Sequence, residues 1–184
     1  LEIHAYCLLP HGLHILATPR NDPGDVSKFM KALSCRTSLR RKNLHGRDSA
    51  WEVRYRSSPI EPGQWLLTCM RYIEHLPVMH DLASSAYHYH RSSYRMRLGK
   101  TGRYWLNDPE EYARLGGTIQ ERAEAYRMYM SNGLDADEEE MIGTAVKRCK
   151  LIGSLRFVKE VYQKFGVLSV NQKPGRPTTS SEER

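Results

Sequence analysis

The chain has 184 residues, enough to bury a core and to hold one domain with an appendage, and it carries a formal net charge of +7 at neutral pH. Its apolar share is 40%, and no apolar run is long enough to span a bilayer, so a soluble protein without a membrane partner is expected. Cys7, Cys35, Cys69 and Cys149 are scattered with no C-x-x-C pair, a spacing that suits reduced thiols in the cytoplasm better than a disulfide frame or a zinc knuckle.

The charge is unevenly distributed. Residues 1–100 carry 15 Lys and Arg against 8 Asp and Glu, while residues 101–184 carry 13 against 13. All of the excess therefore lies in the first half, which predicts a polyanionic partner there, nucleic acid above all. No signal peptide is visible and the first residue is leucine, so the chain is expected to be a segment of a longer protein.

In chain order, Ile3 to Leu9 is apolar and aromatic and stops at Pro10, the pattern of a buried strand. Pro10 to Gly12 makes a turn, and Leu13 to Ala17 a second short strand. After Asp22-Pro23-Gly24-Asp25, the helical spacing of Val26, Phe29, Met30 and Leu33 predicts a helix over Val26 to Ser34. The basic stretch Arg36 to Arg47, interrupted by Ser38, Asn43 and Gly46, reads as a loop. Trp51 to Arg56 alternates apolar and charged residues with period two, as in a half-buried strand.

Glu61-Pro62-Gly63 opens a helix over Gln64 to His75, with Trp65, Leu66, Cys69 and Ile73 as its apolar stripe and Pro77 as its end. Residues 80–107 read as a long surface segment. Thr118-Ile119-Gln120-Glu121 has the form of a capping box for a helix to about Met130. A second helix runs from Asp135 to Leu151 and ends at Gly153, its acidic first turn suiting the helix dipole. Ser154 to Phe165 is a third, stopped by Gly166, and the Pro-Gly-rich tail beyond it is expected to be disordered.

Two stretches carry chemistry. A strand with histidines at i and i+2 presents both to one divalent metal, and a helix packed beside it can set a tyrosine hydroxyl across from that metal. Attack by the tyrosine on a phosphate then gives a covalent phosphotyrosine. Ala5-Tyr6-Cys7-Leu8-Leu9-Pro10-His11-Gly12-Leu13-His14-Ile15-Leu16 through Pro19 resembles the A-Y-V-L-M-P-N-H-V-H-L-L-x-T-P core of the HUH single-tyrosine transposases. Trp51 to Ser57 is similar to their W-Q-x-R-Y-x-S strand, Arg71 to Val78 to their R-Y-I-E-x-N-P-V helix, and Ser92-Ser93-Tyr94 to the S-S-Y that follows. Leu151 to Phe157 and Gly175-Arg176-Pro177 resemble endings of the REP-associated branch.

The resemblance implies an α+β fold: a ferredoxin-like antiparallel sheet with helices on one face, lacking the family's first strand and helix, then a helical C-terminal region. It divides the chain into a DNA-binding domain over 1–98, a linker over 99–117, helices over 118–167 and a tail over 168–184. It implies transesterification on single-stranded or hairpin DNA with magnesium or manganese, in a cytoplasmic, nucleoid-associated bacterial protein acting as a monomer or homodimer. Tyr72 falls on the nucleophile and His14 on the second metal histidine. The other two ligand positions fall on Gly12 and Leu76, each preceded by a histidine, His11 and His75, that could substitute only if the backbone shifted. Arg36, Arg40, Arg41, Lys42, Arg47, Arg54 and Arg56 are the expected phosphate contacts. The alternative is a domesticated or decayed relative that binds structured DNA without cleaving it.

Overall fold

The computed structural model describes residues 1–46, 51, 54–101 and 104–166. The chain is α+β. Strands β1 (Glu2–Leu9) and β2 (Gly12–Thr18) form an antiparallel hairpin around the two-residue connection Pro10-His11, with Cys7 opposite His14 and Leu9 opposite Gly12. Alternation sends Ala5, Cys7, Leu9 and Leu16 to one face, where all four are buried. That face packs on α2 (Gln64–Met79), the most deeply buried helix, whose residues from Thr68 to Leu76 are, with one exception at His75, buried without a break.

A 3-10 turn at Ala86–His88 precedes two short helices, α3 (Tyr94–Arg97) and α4 (Glu110–Ala113), and three longer ones follow, α5 (Ile119–Ser131), α6 (Ala136–Arg148) and α7 (Leu155–Phe165). Tyr112, Tyr126, Met130, Ile142, Ala145 and Ile152 from this half join Ala5, Cys7, Cys69 and Met70 in one apolar cluster. The capping box at Thr118 and Glu121 forms as the sequence predicts, and Asp135 and Ser154 cap α6 and α7 with their side chains.

Several expectations need correction. The basic stretch after Ser34 is helix, not loop: α1 runs Gly24–His45 and ends at Gly46, whose φ of 66° supplies the left-handed cap. Arg, Lys and Leu outnumber the loop-favouring Ser and Asn there, so propensity sustains the helix until the glycine. Arg47, Glu52 and Val53 lie outside the described residues. Trp51 and Arg54 to Arg56 belong to no regular element, not to a strand. They lie along α1, where Trp51 Nε1 donates to Thr37 Oγ1 at 2.7 Å and the Tyr55 and Ser27 hydroxyls meet at 2.8 Å.

Pro77 does not end α2, which continues to Met79. So near the C-terminus its missing N–H forfeits one bond, and its own carbonyl accepts from Leu82 and Ala83. Helix α6 stops at Arg148, with Cys149 in the left-handed region at φ 52°, short of the predicted Gly153. Residues 80–107 are not a surface segment throughout: Ser92, Ser93, Tyr94, Met96, Arg97 and Leu106 are buried.

The reason is a buried ion pair. Arg97 Nε lies 3.5 Å from Glu74 Oε1, and neither side chain has solvent exposure. Glu74 also accepts from the Ser93 hydroxyl at 2.5 Å and from Tyr126 at 2.9 Å. Arg97 donates to the carbonyl of His4 and stands over the ring of Tyr112 at 4.4 Å. Burial lifts the Glu74 carboxyl above the usual range against the pull of Arg97, Ser93 and Tyr126. Removing one partner strands the other charge. Glu74→Ala is therefore expected to cost about 3–5 kcal/mol, and the apolar double replacement Glu74→Leu/Arg97→Met much less, measured by urea unfolding. Equal losses for the two variants would refute the account.

Candidate functional site

Tyr72 occupies the middle of α2 and is 8% exposed. The helix places Cys69 and His75 one turn to either side of it. Across from it runs α6, packed so closely that a Cβ at Gly143 would stand 3.3 Å from the Tyr72 hydroxyl oxygen. A glycine inside a helix costs about 1 kcal/mol relative to alanine, and here it makes room for the phenol. The two helices are held by Arg71, whose Nη2 meets Glu138 Oε2 at 2.9 Å and whose guanidinium lies 4.3 Å from the centre of the Tyr129 ring.

The electrostatics follow from enclosure. Burial first, then the charges of Glu139 and Cys69, raises the Tyr72 phenol above its ordinary value, so it keeps its proton at neutral pH. Burial lifts the Cys69 thiol to about 12, with Glu138 adding to it, which keeps the thiol protonated and unreactive at neutral pH. His75 is lowered by burial, partly restored by Glu139 and lowered again by Arg71. A neutral imidazole on the next turn can accept a proton, and Glu139 acts on both His75 and Tyr72.

His14 projects from β2 and is half-buried; burial and the charge of His80 beyond the end of α2 lower it. Its neighbour in this field is thus His80, eight residues or about 12 Å of helix rise beyond Tyr72. His11 is exposed in the hairpin connection, and His75 faces α6. Gly12 offers no donor, and Leu76 is 1% exposed within the apolar cluster. Among the described residues, no three His, Cys, Asp or Glu side chains are grouped as metal ligands. The donor set implied by the resemblance is not assembled here from Gly12, His14 and Leu76, and the side chains present do not fit a three-ligand centre.

The cationic residues fare differently. Lys28, Lys31, Arg36, Arg40 and Lys42 are exposed on α1, Arg41 is half-buried, and Arg54 and Arg56 are exposed in the segment beside it. Lys28 is engaged by Asp22 and Asp25. Sequence reasoning assigned Arg36, Arg40, Arg41 and Lys42 to a loop; α1 instead arranges them, with Lys28 and Lys31, along a rod. It gave no role to Glu74, Arg97 or Gly143. Glu74 sits within the R-Y-I-E stretch, yet a carboxylate on an apolar stripe was its only available signal.

Against family models, curated proteins and solved structures, the chain has no match.

The lowered imidazoles have a consequence for stability. The unfolded chain takes up protons near the ordinary histidine value of about 6.5, while folded His14 and His75 take them up only at lower pH. Stability is therefore full above that value and falls as pH drops from there toward the folded values. His14→Gln is expected to flatten that fall in thermal or urea unfolding; an unchanged pH profile would contradict it. Gly143→Leu is expected to push α6 from Tyr72, costing about 1–3 kcal/mol and bringing tyrosine ionisation nearer its ordinary value in a spectrophotometric titration compared with Tyr72→Phe. A titration unaltered by the leucine would place the phenol elsewhere.

Proposed function

We propose that this chain binds hairpin-forming DNA through the exposed cations of α1 and does not cut it. The single observation that carries this reading is α1 itself. It is a 22-residue helix with no buried residue, and it presents Lys28, Lys31, Arg36, Arg40, Arg41 and Lys42 against Asp25 alone. At 1.5 Å per residue it is about 33 Å long, near the length of one duplex turn. Such a rod neutralises phosphates along a stem and releases their counterions, which gives affinity without sequence readout.

Arg54 and Arg56 extend the same surface, because Tyr55 is bonded to Ser27 of α1. A second surface suits unpaired bases. Trp105 is 50% exposed and stacks on Tyr6 with ring centres 5.3 Å apart, an arrangement on which a loop base can stack. In this reading the hairpin β1–β2 backed by α2 is part of a ferredoxin-like sheet. A DNA-bound, nucleoid-associated protein in the cytoplasm follows from it.

What supports binding over cleavage is the surroundings of Tyr72. The phenol is protonated, nearly buried and covered by α6 at Gly143, whereas a scissile phosphate must reach the hydroxyl in line. A second reading keeps the chemistry. Tyr72 Oη would attack phosphorus, forming the phosphotyrosine ester as the bond to the 3′ oxygen breaks and that oxygen, taking a proton from water, leaves as a 3′ hydroxyl. His75 would accept the phenolic proton. The shared influence of Glu139 on Tyr72 and His75 is the observation that favours it.

Fluorescence anisotropy with a labelled hairpin separates the two. Tight binding that weakens with salt and ignores chelator is expected. Arg36→Glu/Arg40→Glu should cut the slope of log affinity against log salt by roughly 2, at about 0.9 per phosphate contact. Unchanged affinity in that variant would refute the α1 surface. A covalent adduct formed with manganese and lost in Tyr72→Phe would replace binding by the second reading.

A further inference from the structure

Residues 101–184 are neutral as a whole, but the charges within them are sorted. Residues 104–140 carry 3 Lys and Arg against 10 Asp and Glu, while residues 141–166 carry 6 against 1. The basic share lies at the end of α6 and on α7, where Lys147, Arg148, Arg156, Lys159 and Lys164 are all exposed.

Helix electrostatics explains only part of this. Lys147 and Arg148 complement the dipole at the end of α6, as Lys164 does at the end of α7. Arg156 does the opposite: it is the second residue of α7, at the positive end of that dipole. Its ion pair with Glu160, at 2.7 Å, is an exposed one and holds it weakly. At about 3.6 residues per turn, Arg156, Lys159 and Lys164 fall within one arc of about 140°. Val158, Val161 and Phe165 occupy the other side.

The fold joins this arc to the cations of α1. Trp51 is bonded to Thr37 and Tyr55 to Ser27, so the segment runs along α1 toward its N-terminus. Three residues on, the Ser58 hydroxyl donates to the carbonyl of Ala145 in α6 at 3.1 Å. Three residues of chain reach at most about 11 Å. Ile152 N–H then donates to the carbonyl of Pro59 at 2.9 Å, and Glu61 N–H to that of Ile152 at 2.8 Å.

The Glu61 carboxylate finishes the strap by capping α7, accepting from Ser154 N–H at 2.6 Å and from its hydroxyl at 3.1 Å. Gly153 allows the approach, since a Cβ there would stand 2.7 Å from Glu61 Cβ. Arg54 and Arg56 therefore lie between two cationic helices tied to one segment. The acidic first turn of α6 does not cancel the cluster. Asp137 and Lys147 are separated by about 15 Å of helix rise, beyond the physiological screening length of about 8 Å.

We propose that the phosphate-binding surface continues from α1 across Arg54 and Arg56 to the end of α6 and the cationic arc of α7, and takes a DNA stem longer than one helical turn. The inference rests on the nucleic-acid reading of α1 and extends it to a second set of residues. Two features favour duplex over other polyanions. Helix α1 alone matches about one turn, and the α6–α7 corner stands off its N-terminal end, where only a longer stem arrives. The arc also holds no aromatic ring on which an unpaired base could stack.

Fluorescence anisotropy across a salt series, with hairpins whose stems have about 10 and about 20 base pairs, one and two turns, tests it. Lys159→Gln/Lys164→Gln should lower the slope of log affinity against log salt by roughly 2 on the long stem, at about 0.9 per contact. On the short stem it should change nothing. Lys147→Gln/Arg148→Gln should behave alike, and stands in if circular dichroism shows that the first variant loses helix. Arg36→Glu/Arg40→Glu should lower the slope on both stems. Glutamine variants that bind the long stem as the wild type does, or that weaken both stems equally, would overturn the proposal while α1 keeps its role. An α1 variant without effect on either stem would instead remove the reading beneath it.

Discussion

The buried pair of Glu74 and Arg97 is the interaction on which the rest of this structure depends. It lies where α2, α3, α5 and the segment before α4 meet, and through the carbonyl of His4 it reaches β1. Two charges without solvent are tolerable only when neighbouring groups compensate them. Here Ser93 and Tyr126 donate to the carboxylate and Asp108 pairs with the guanidinium, with the rings of Tyr112 and Tyr126 against it. Because these groups come from distant parts of the chain, the pair specifies how the helical half sits on the hairpin. It also explains why residues 92–97 are interior and lie along β1.

That arrangement determines the fate of Tyr72. Once Glu74 draws α5 onto one side of α2, Arg71 and Glu138 bring α6 onto the next, and the phenol is enclosed beneath Gly143. The same hydroxyl on an open groove would be a candidate nucleophile. Under α6 it is nearly buried with a raised pKa, and Leu76, at the position to which the resemblance assigns a metal ligand, is apolar. The histidines of the hairpin and α2 are spread along the helix instead of converging, because Gly12 contributes nothing and His11 turns to solvent. Six of the chain's lysines and arginines stand on α1, a helix with no buried residue.

Much was legible from the residues alone. The hairpin was readable because apolar runs bounded by Pro10 and Gly12 leave few alternatives, and α5, α6 and α7 because Thr118, Asp135 and Ser154 are local caps whose partners lie within three residues. The charge asymmetry was likewise a matter of counting. What tertiary structure decided was every feature whose partner is remote. A run of Arg and Lys looks the same in a loop and in a helix until Gly46 supplies the cap, and Pro77 stops a helix or merely ends its bonding according to how many turns remain. Nothing near Tyr72 in the sequence announces its enclosure, which α6, some seventy residues later in the chain, provides. Sequence determines local preference because it acts over a turn of helix or a pair of strand residues. Exposure and pKa are properties of the packed neighbourhood, and they exist only once the chain has folded.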